Sequence, residues 1–102
     1  LGRWKFLPPV EYDHPYKEPL TIARGNAATM KAICPIVPLF PTPLGCSVRY
    51  TIAGKNHSCH VFIAEESILN PTGWTYKLIL RHEIGHCNGW PADHPGMRKV
   101  EG

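Results

Sequence analysis

Between Ser47 and Ala53 the chain alternates: Val48, Tyr50 and Ile52 fall on one side, and Ser47, Arg49 and Thr51 on the other. A period of two predicts a half-buried strand over Ser47–Ala53. Gly54-Lys55-Asn56 follows as a turn, and Ser58–Ala64 returns as a second strand. Upstream, Leu20–Arg24 reads as a short strand. Gly25-Asn26 punctuates it, and Asn26 is placed to cap a short helix over Ala27–Cys34, which Pro35 ends. Downstream, Glu65–Asn70 has room for one helical turn before Pro71. The main helix is expected from Thr72 or Gly73 to Asn88, with Gly89 as its left-handed C-cap and Trp90-Pro91 redirecting the chain. Leu1–Pro19 carries Pro8, Pro9, Pro15 and Pro19 among aromatic residues, and reads as an extended arm wrapped on the body.

These elements sum to an α+β fold: a small twisted sheet of about three strands, antiparallel or mixed, packed on the long helix with one shorter helix. At 102 residues the chain fits one domain, 1–102, with the arm at 1–19. A domain this small buries a modest share of its surface, so disulfide or metal staples matter. Four cysteines, Cys34, Cys46, Cys59 and Cys87, suggest two disulfides and an oxidising compartment, secreted or periplasmic. Three pairings are open to four cysteines. Cys34 and Cys46 bracket the proline-rich loop Pro35–Gly45, which has little core of its own, and are expected to pair. Cys59–Cys87 would then tie the second strand to the main helix. No Cys-x-x-Cys pair occurs, which weakens a zinc-ribbon or thioredoxin reading. A first residue Leu1 rather than Met fits a processed product. The uncharged run Ala32–Val48 contains Pro35, Pro38, Pro41 and Pro43, which argues against a membrane helix. The net charge of +3 is spread along the chain without a basic stripe, which argues against nucleic acid. A soluble monomer is expected.

One stretch carries chemistry: RHEIGHCNGWPADHPG, Arg81–Gly96, holds three of the six histidines. At about 100° per residue His86 falls about 40° from His82, and Glu83 about 100°. The two imidazoles sit one turn apart and can reach one point. Zinc binds imidazole nitrogen at about 2.0–2.1 Å, and the spacing suits two such bonds. Glu83, on the flank, is too far round to be a third ligand but near enough to touch a water on the metal. Lys77, Arg81 and Asn88 point toward solvent. Histidines at this spacing also occur as ordinary core or surface residues. Three features favour a single zinc ion: Gly85 lets another segment approach, Gly89 ends the helix beside the site, and His94 returns within reach. His94 gives a neutral three-imidazole set and is the first choice for third ligand. Asp93 is the alternative, or else accepts a hydrogen bond from a ligand imidazole.

The segment His82-Glu83-Ile84-Gly85-His86 resembles the His-Glu-x-x-His helix of the zincin metallopeptidases, and Gly89 looks like the metzincin branch. That branch places its third ligand where this chain has Ala92, which cannot bind zinc. A closer likeness is to a family of small bacterial exported proteins with the motif His-Glu-x-Gly-His-x-Asn-Gly-Trp-Pro-x-x-His. His82, Glu83, Gly85, His86, Asn88, Gly89, Trp90, Pro91 and His94 match it. The resemblance implies a zinc endopeptidase acting on a peptide or protein, with His82, His86 and His94 as ligands, water at the open position and Glu83 as general base. It implies no particular substrate. In zincins the strand before the helix offers its edge to the substrate, here Ser58–Ala64. Met97 lies closer to the site than a metzincin Met-turn does and is not expected to be its equivalent. Trp90 is expected to pack under the bend. Tyr50, Tyr76 and His57 are oxyanion candidates by residue type alone, and His14, His57 and His60 are expected to be structural or solvated. The competing function is a non-catalytic, zinc-stabilised secreted binding module, which has no need of Glu83. A cysteine nucleophile would require Cys87 to be a free thiol.

Overall fold

The computed structural model describes residues 4–35 and 41–101. The first three residues of the expected arm, and residues 36–40 of the proline-rich loop, lie outside them. The elements run β1 (Trp4–Leu7), β2 (Leu20–Gly25), α1 (Ala27–Ile33), β3 (Gly45–Ile52), β4 (Lys55–Ala64), α2 (Glu66–Leu69), a 3-10 turn (Asn70–Thr72), α3 (Tyr76–Cys87) and β5 (Arg98–Glu101). The class is α+β, as expected, with one mixed sheet of three strands and one ribbon of two.

β3 and β4 form an antiparallel hairpin. Its loop is Ala53-Gly54 alone, both left-handed, with φ of 52° and 79°, the twist a two-residue hairpin loop needs. The turn is tighter than the sequence suggested, and β4 begins three residues before Ser58. β2 pairs in parallel with the other edge of β4, giving the order β2-β4-β3. The expectation that Ser58–Ala64 offers a free edge is therefore overturned: that strand is central, with neighbours on both sides.

Helix starts follow their caps. Asn26 accepts from the Thr29 amide at 2.9 Å and starts α1. Thr75 accepts from the Leu78 amide at 3.2 Å and starts α3. Gly73, at φ 81°, closes the preceding 3-10 turn, so α3 begins later than expected. Gly89, at φ 110°, ends the helix as read.

The core lies between the sheet and α3. Cys59, Val61 and Ile63 of β4, every second residue, are fully buried and belong to one cluster with Ile79 and Cys87 of α3. The alternation in β3 is present, but its apolar side is not the core side. Val48 and Tyr50 are 39% and 49% exposed; the residues that align with the buried face of β4 are Gly45, Ser47 and Arg49. The reason is steric. A Cβ on Gly45 would lie 2.7 Å from Ile79 Cγ2 and 3.3 Å from Glu83 Oε2, so α3 packs on the small, polar side of β3.

The arm is more regular than its prolines suggested. β1 pairs antiparallel with β5, Trp4 opposite Glu101 and Leu7 opposite Arg98. Each strand has four residues and is stabilised by a partner at the far end of the chain, which no local pattern reveals. The arm continues across α3: the Asn88 side chain donates to the carbonyls of Tyr12 at 3.0 Å and His14 at 2.6 Å, so Asn88 holds the arm rather than facing open solvent. No helix among the described residues is long and apolar enough to cross a membrane.

Both expected cysteine pairs are disulfides. Cys34 and Cys46 have Sγ atoms 2.06 Å apart, and Cys59 and Cys87 2.04 Å apart. The second joins the central strand to the end of α3 through two fully buried residues. Replacing Cys59 and Cys87 together by serine should lower unfolding free energy by about 2–5 kcal/mol, read from urea denaturation. Unchanged stability would show that packing alone holds α3 on the sheet.

Candidate metal centre

The buried stripe of α3 runs Ile79–Glu83–Cys87, and the stripe beside it carries His82 and His86. After Gly89 the chain doubles back: the Trp90 amide donates to Gly85 O at 3.0 Å, and the His94 amide to Pro91 O at 3.0 Å. His94 itself is left-handed, with φ 59°, an uncommon conformation for a residue with a side chain. The result places three Nε2 atoms almost equidistant. His82–His94 and His86–His94 are each 3.1 Å apart, and His82–His86 3.3 Å. Asp93 is exposed and does not join the group.

The spacing can be tested against a metal. A tetrahedral ion bonded at about 2.0–2.1 Å holds its ligand nitrogens about 3.3–3.4 Å apart, and the triangle observed is within a few tenths of that. The group could hold a metal ion, and three imidazoles suit zinc, copper, iron or nickel.

The outward nitrogens fix the tautomers. His82 Nδ1 lies 2.7 Å from Phe6 O, and His86 Nδ1 lies 2.8 Å from Trp90 O. A carbonyl only accepts, so both Nδ1 atoms donate and both Nε2 atoms present lone pairs inward. Burial lowers the pKa of His82 to about 4; the Phe6 bond opposes the shift, and the neighbouring histidines add to it. His86 and His94 are lowered by burial as well, opposed by the Trp90 carbonyl and by Asp93 respectively. At neutral pH all three rings are therefore neutral and able to coordinate. The acceptors of His82 and His86 are backbone carbonyls; Asp93 acts on His94 through its charge.

Indole rings wall the site. Trp90, only 2% exposed, stacks on His86 with centroids 4.8 Å apart and planes 15° from parallel, and its Nε1–H donates to Pro95 O at 2.8 Å. Trp74 meets His82 edge-on, centroids 6.0 Å apart. Trp90 thus packs under the bend, as anticipated. The segment that Gly85 admits is the arm: a Cβ there would lie 2.6 Å from Pro8 Cγ.

Glu83, next to His82 in the helix, is 6% exposed. Its carboxyl faces β3, where the Ser47 hydroxyl donates to it. Burial pushes its pKa up to about 8, and the Ser47 bond pulls it partly back. Neither Ser47 nor Gly45 was singled out from the sequence, because both reach Glu83 only through the sheet.

The remaining histidines and tyrosines lie elsewhere. His60 contacts the Thr21 hydroxyl and the edge of Tyr50, on the sheet face away from α3. Tyr76 lies beneath the Arg24 guanidinium, 4.7 Å from carbon to centroid. His57 is exposed, and His14 donates through Nδ1 to Pro15 O at 3.0 Å. Met97 is 39% exposed, and its amide lies 3.4 Å from His94 O. A cavity of about 370 Å³ between Asp13–Pro15 and the α3 residues Lys77, Leu80, Arg81 and Ile84 lies on the opposite flank of the helix.

A charged clamp flanks the centre. Arg81 holds Asp13 through two bonds, of 2.9 and 2.6 Å. Arg98 also reaches Asp13 and donates to Pro8 O at 2.8 Å. Arg81 is exposed, as its side of the helix implies, but engaged with Asp13.

Compared with known proteins, the chain matches no family model, no curated protein and no solved structure.

Two outcomes are expected. In a metal titration followed by calorimetry, His94→Ala should weaken binding by at least about 10-fold, while Asp93→Ala should bind nearly as wild type. The reverse would make Asp93 the third ligand. The second concerns acid. The Arg81 hydrogen bonds hold Asp13 at about 2, against an ordinary 3.8, with Arg98 assisting against desolvation. A lowered carboxylate pKa contributes stability that is complete above about 3.8 and is lost as pH falls through about 2. Asp13→Asn should lower stability at pH 6 by about 1 kcal/mol, modest because both arginines are partly exposed and screened. The difference should shrink as pH approaches about 2 and vanish below it.

Proposed function

We propose that the protein is a zinc-dependent peptidase of the zincin type, hydrolysing peptide bonds with Glu83 as general base. The observation that carries this reading is the convergence of the His82, His86 and His94 Nε2 atoms beside a buried carboxyl on the same helix. The resemblance of His82–His94 to the exported-protein motif supports it. Zinc is favoured among the candidate ions because three neutral imidazoles with one open position are its usual catalytic set.

When bound, the ion supplies Lewis acidity toward a carbonyl and toward water. The chain's own groups do the rest. Phe6 and Trp90 carbonyls keep the His82 and His86 protons on Nδ1, so that both Nε2 lone pairs face the centre. Glu83 takes the proton of the attacking water and returns it to the leaving amine. The Ser47 hydroxyl and the backbone at Gly45 limit where its carboxyl can point. With Ser58–Ala64 placed centrally, the strand available to a substrate beside Glu83 is β3, an edge of the sheet. An extended peptide can add there through main-chain hydrogen bonds.

Two disulfides fit a chain working in an oxidising compartment, and secretion or the periplasm is part of this proposal. The test is Glu83→Gln. Cleavage of a denatured-protein mixture and a peptide library should fall by about 10²–10⁴-fold, with zinc content and thermal unfolding measured on the same samples and preserved. Equal turnover by the variant would remove Glu83 from the mechanism. Tight zinc binding with no cleavage by wild type would favour the non-catalytic module.

A further inference from the structure

The metal centre and the β1–β5 ribbon share a single hydrogen bond network, and its logic is one of tautomers. His82 Nδ1 is bonded to Phe6 O within β1. The same ring has Nε2 at 3.1 Å from His94 Nε2 and 3.3 Å from His86 Nε2. A neutral imidazole carries one proton. With the proton on Nδ1, the bond to Phe6 forms and a bare lone pair faces the Nε2 atoms of His86 and His94. With the proton on Nε2, the ring donates to His94 or His86, and the Nδ1 lone pair faces the Phe6 carbonyl. The second state repels the arm. A cation in the triangle removes the choice: Nε2 is occupied, the proton is confined to Nδ1, and Phe6 is held.

We propose that the ribbon is a metal-coupled latch, clamped when the three histidines bind an ion and loosened when the ion leaves. The inference rests on the metal-centre reading and not on any enzymatic activity. Three further contacts transmit the grip. Pro8 sits in the notch over Gly85, where no Cβ would fit. Arg98, at the start of β5, donates to Pro8 O at 2.8 Å. Arg98 and Arg81 both hold Asp13. Residues before His82 and after His94 are thereby tied to one another across the ligands. Because coupling is reciprocal, the factor by which the ion stabilises the ribbon equals the factor by which the closed ribbon tightens the ion.

The test uses the full chain, with zinc as the probe. Hydrogen exchange is measured for the amides of Trp4–Leu7 and Arg98–Glu101 with zinc and with chelator. Zinc affinity is measured by competition for wild type, Gly85→Ala and Arg98→Ala. Gly85→Ala pushes Pro8 off the helix while raising helix propensity; Arg98→Ala cuts the ribbon's tether without touching α3. Zinc should slow ribbon exchange about 10-fold or more, and each variant should lose about 10-fold or more in affinity while retaining all three ligands. If zinc binds wild type but leaves ribbon exchange unchanged, or if both variants bind within about twofold of wild type, the latch is overturned and the metal centre stands. If wild type binds no zinc, the metal centre falls and the latch with it.

Discussion

Three imidazole Nε2 atoms drawn to one point, two of them with inward lone pairs, are the constraint on which the rest of this structure turns. The Phe6 and Trp90 carbonyls fix the proton positions of His82 and His86, and the fold then brings His94 to 3.1 Å from both. The two fixed lone pairs, on nitrogens 3.3 Å apart, repel one another, and a cation within the triangle relieves them. Burial sharpens the demand, because it lowers the pKa of all three rings and prevents protonation from relieving the repulsion at neutral pH. The small domain therefore concentrates an unfavourable arrangement in one place, and a bound ion converts it into a staple.

Close backbone approach makes that arrangement possible. Gly85 lets Pro8 pass directly over α3, which puts the Phe6 carbonyl at the outer nitrogen of His82. Gly45 lets β3 settle against Ile79 and Glu83. Gly89, left-handed, turns the chain so that Trp90 offers its carbonyl to His86 and its ring to the same imidazole. The Cys59–Cys87 bridge fixes the end of α3 on the central strand, one residue beyond His86. Each ligand is therefore oriented from a different part of the chain, and α3 is their common support.

What the sequence made legible follows from the range of each signal. The i, i+4 spacing of His82 and His86, the cap at Asn26 and the left-handed Gly89 are local, and each is where the pattern put it. His94 was within reach because only a bend separates it from the helix. The ribbon, the Asp13 clamp and the Ser47 contact to Glu83 join residues distant in sequence, and no periodicity encodes them. The β3 error is instructive in the same way. Alternation correctly located the strand, but which side faces the core was decided by Gly45 and by a polar residue on α3, so apolar Val48 and Tyr50 were left outside. Thr75, not Thr72 or Gly73, caps α3, because the Thr72 hydroxyl is engaged in the preceding turn, donating to Leu69 O and accepting from the Trp74 amide.

Glu83 is the residue that weighs one functional reading against the other. A carboxyl 6% exposed, with its pKa pushed up to about 8, is an expensive occupant for a core position on the stripe between Ile79 and Cys87. For a purely structural zinc module an apolar side chain of similar volume would pack there at lower cost, and the histidines would be unaffected, since Glu83 is not among them. A peptidase has a use for the same defect. A carboxyl whose charged and protonated forms are close in free energy near neutral pH can both take a proton and return it, and a nearby cation shifts that balance toward the ionised form. In the proposed peptidase the energetic cost at Glu83 has a use, which is why the burial of this one side chain weighs toward that proposal.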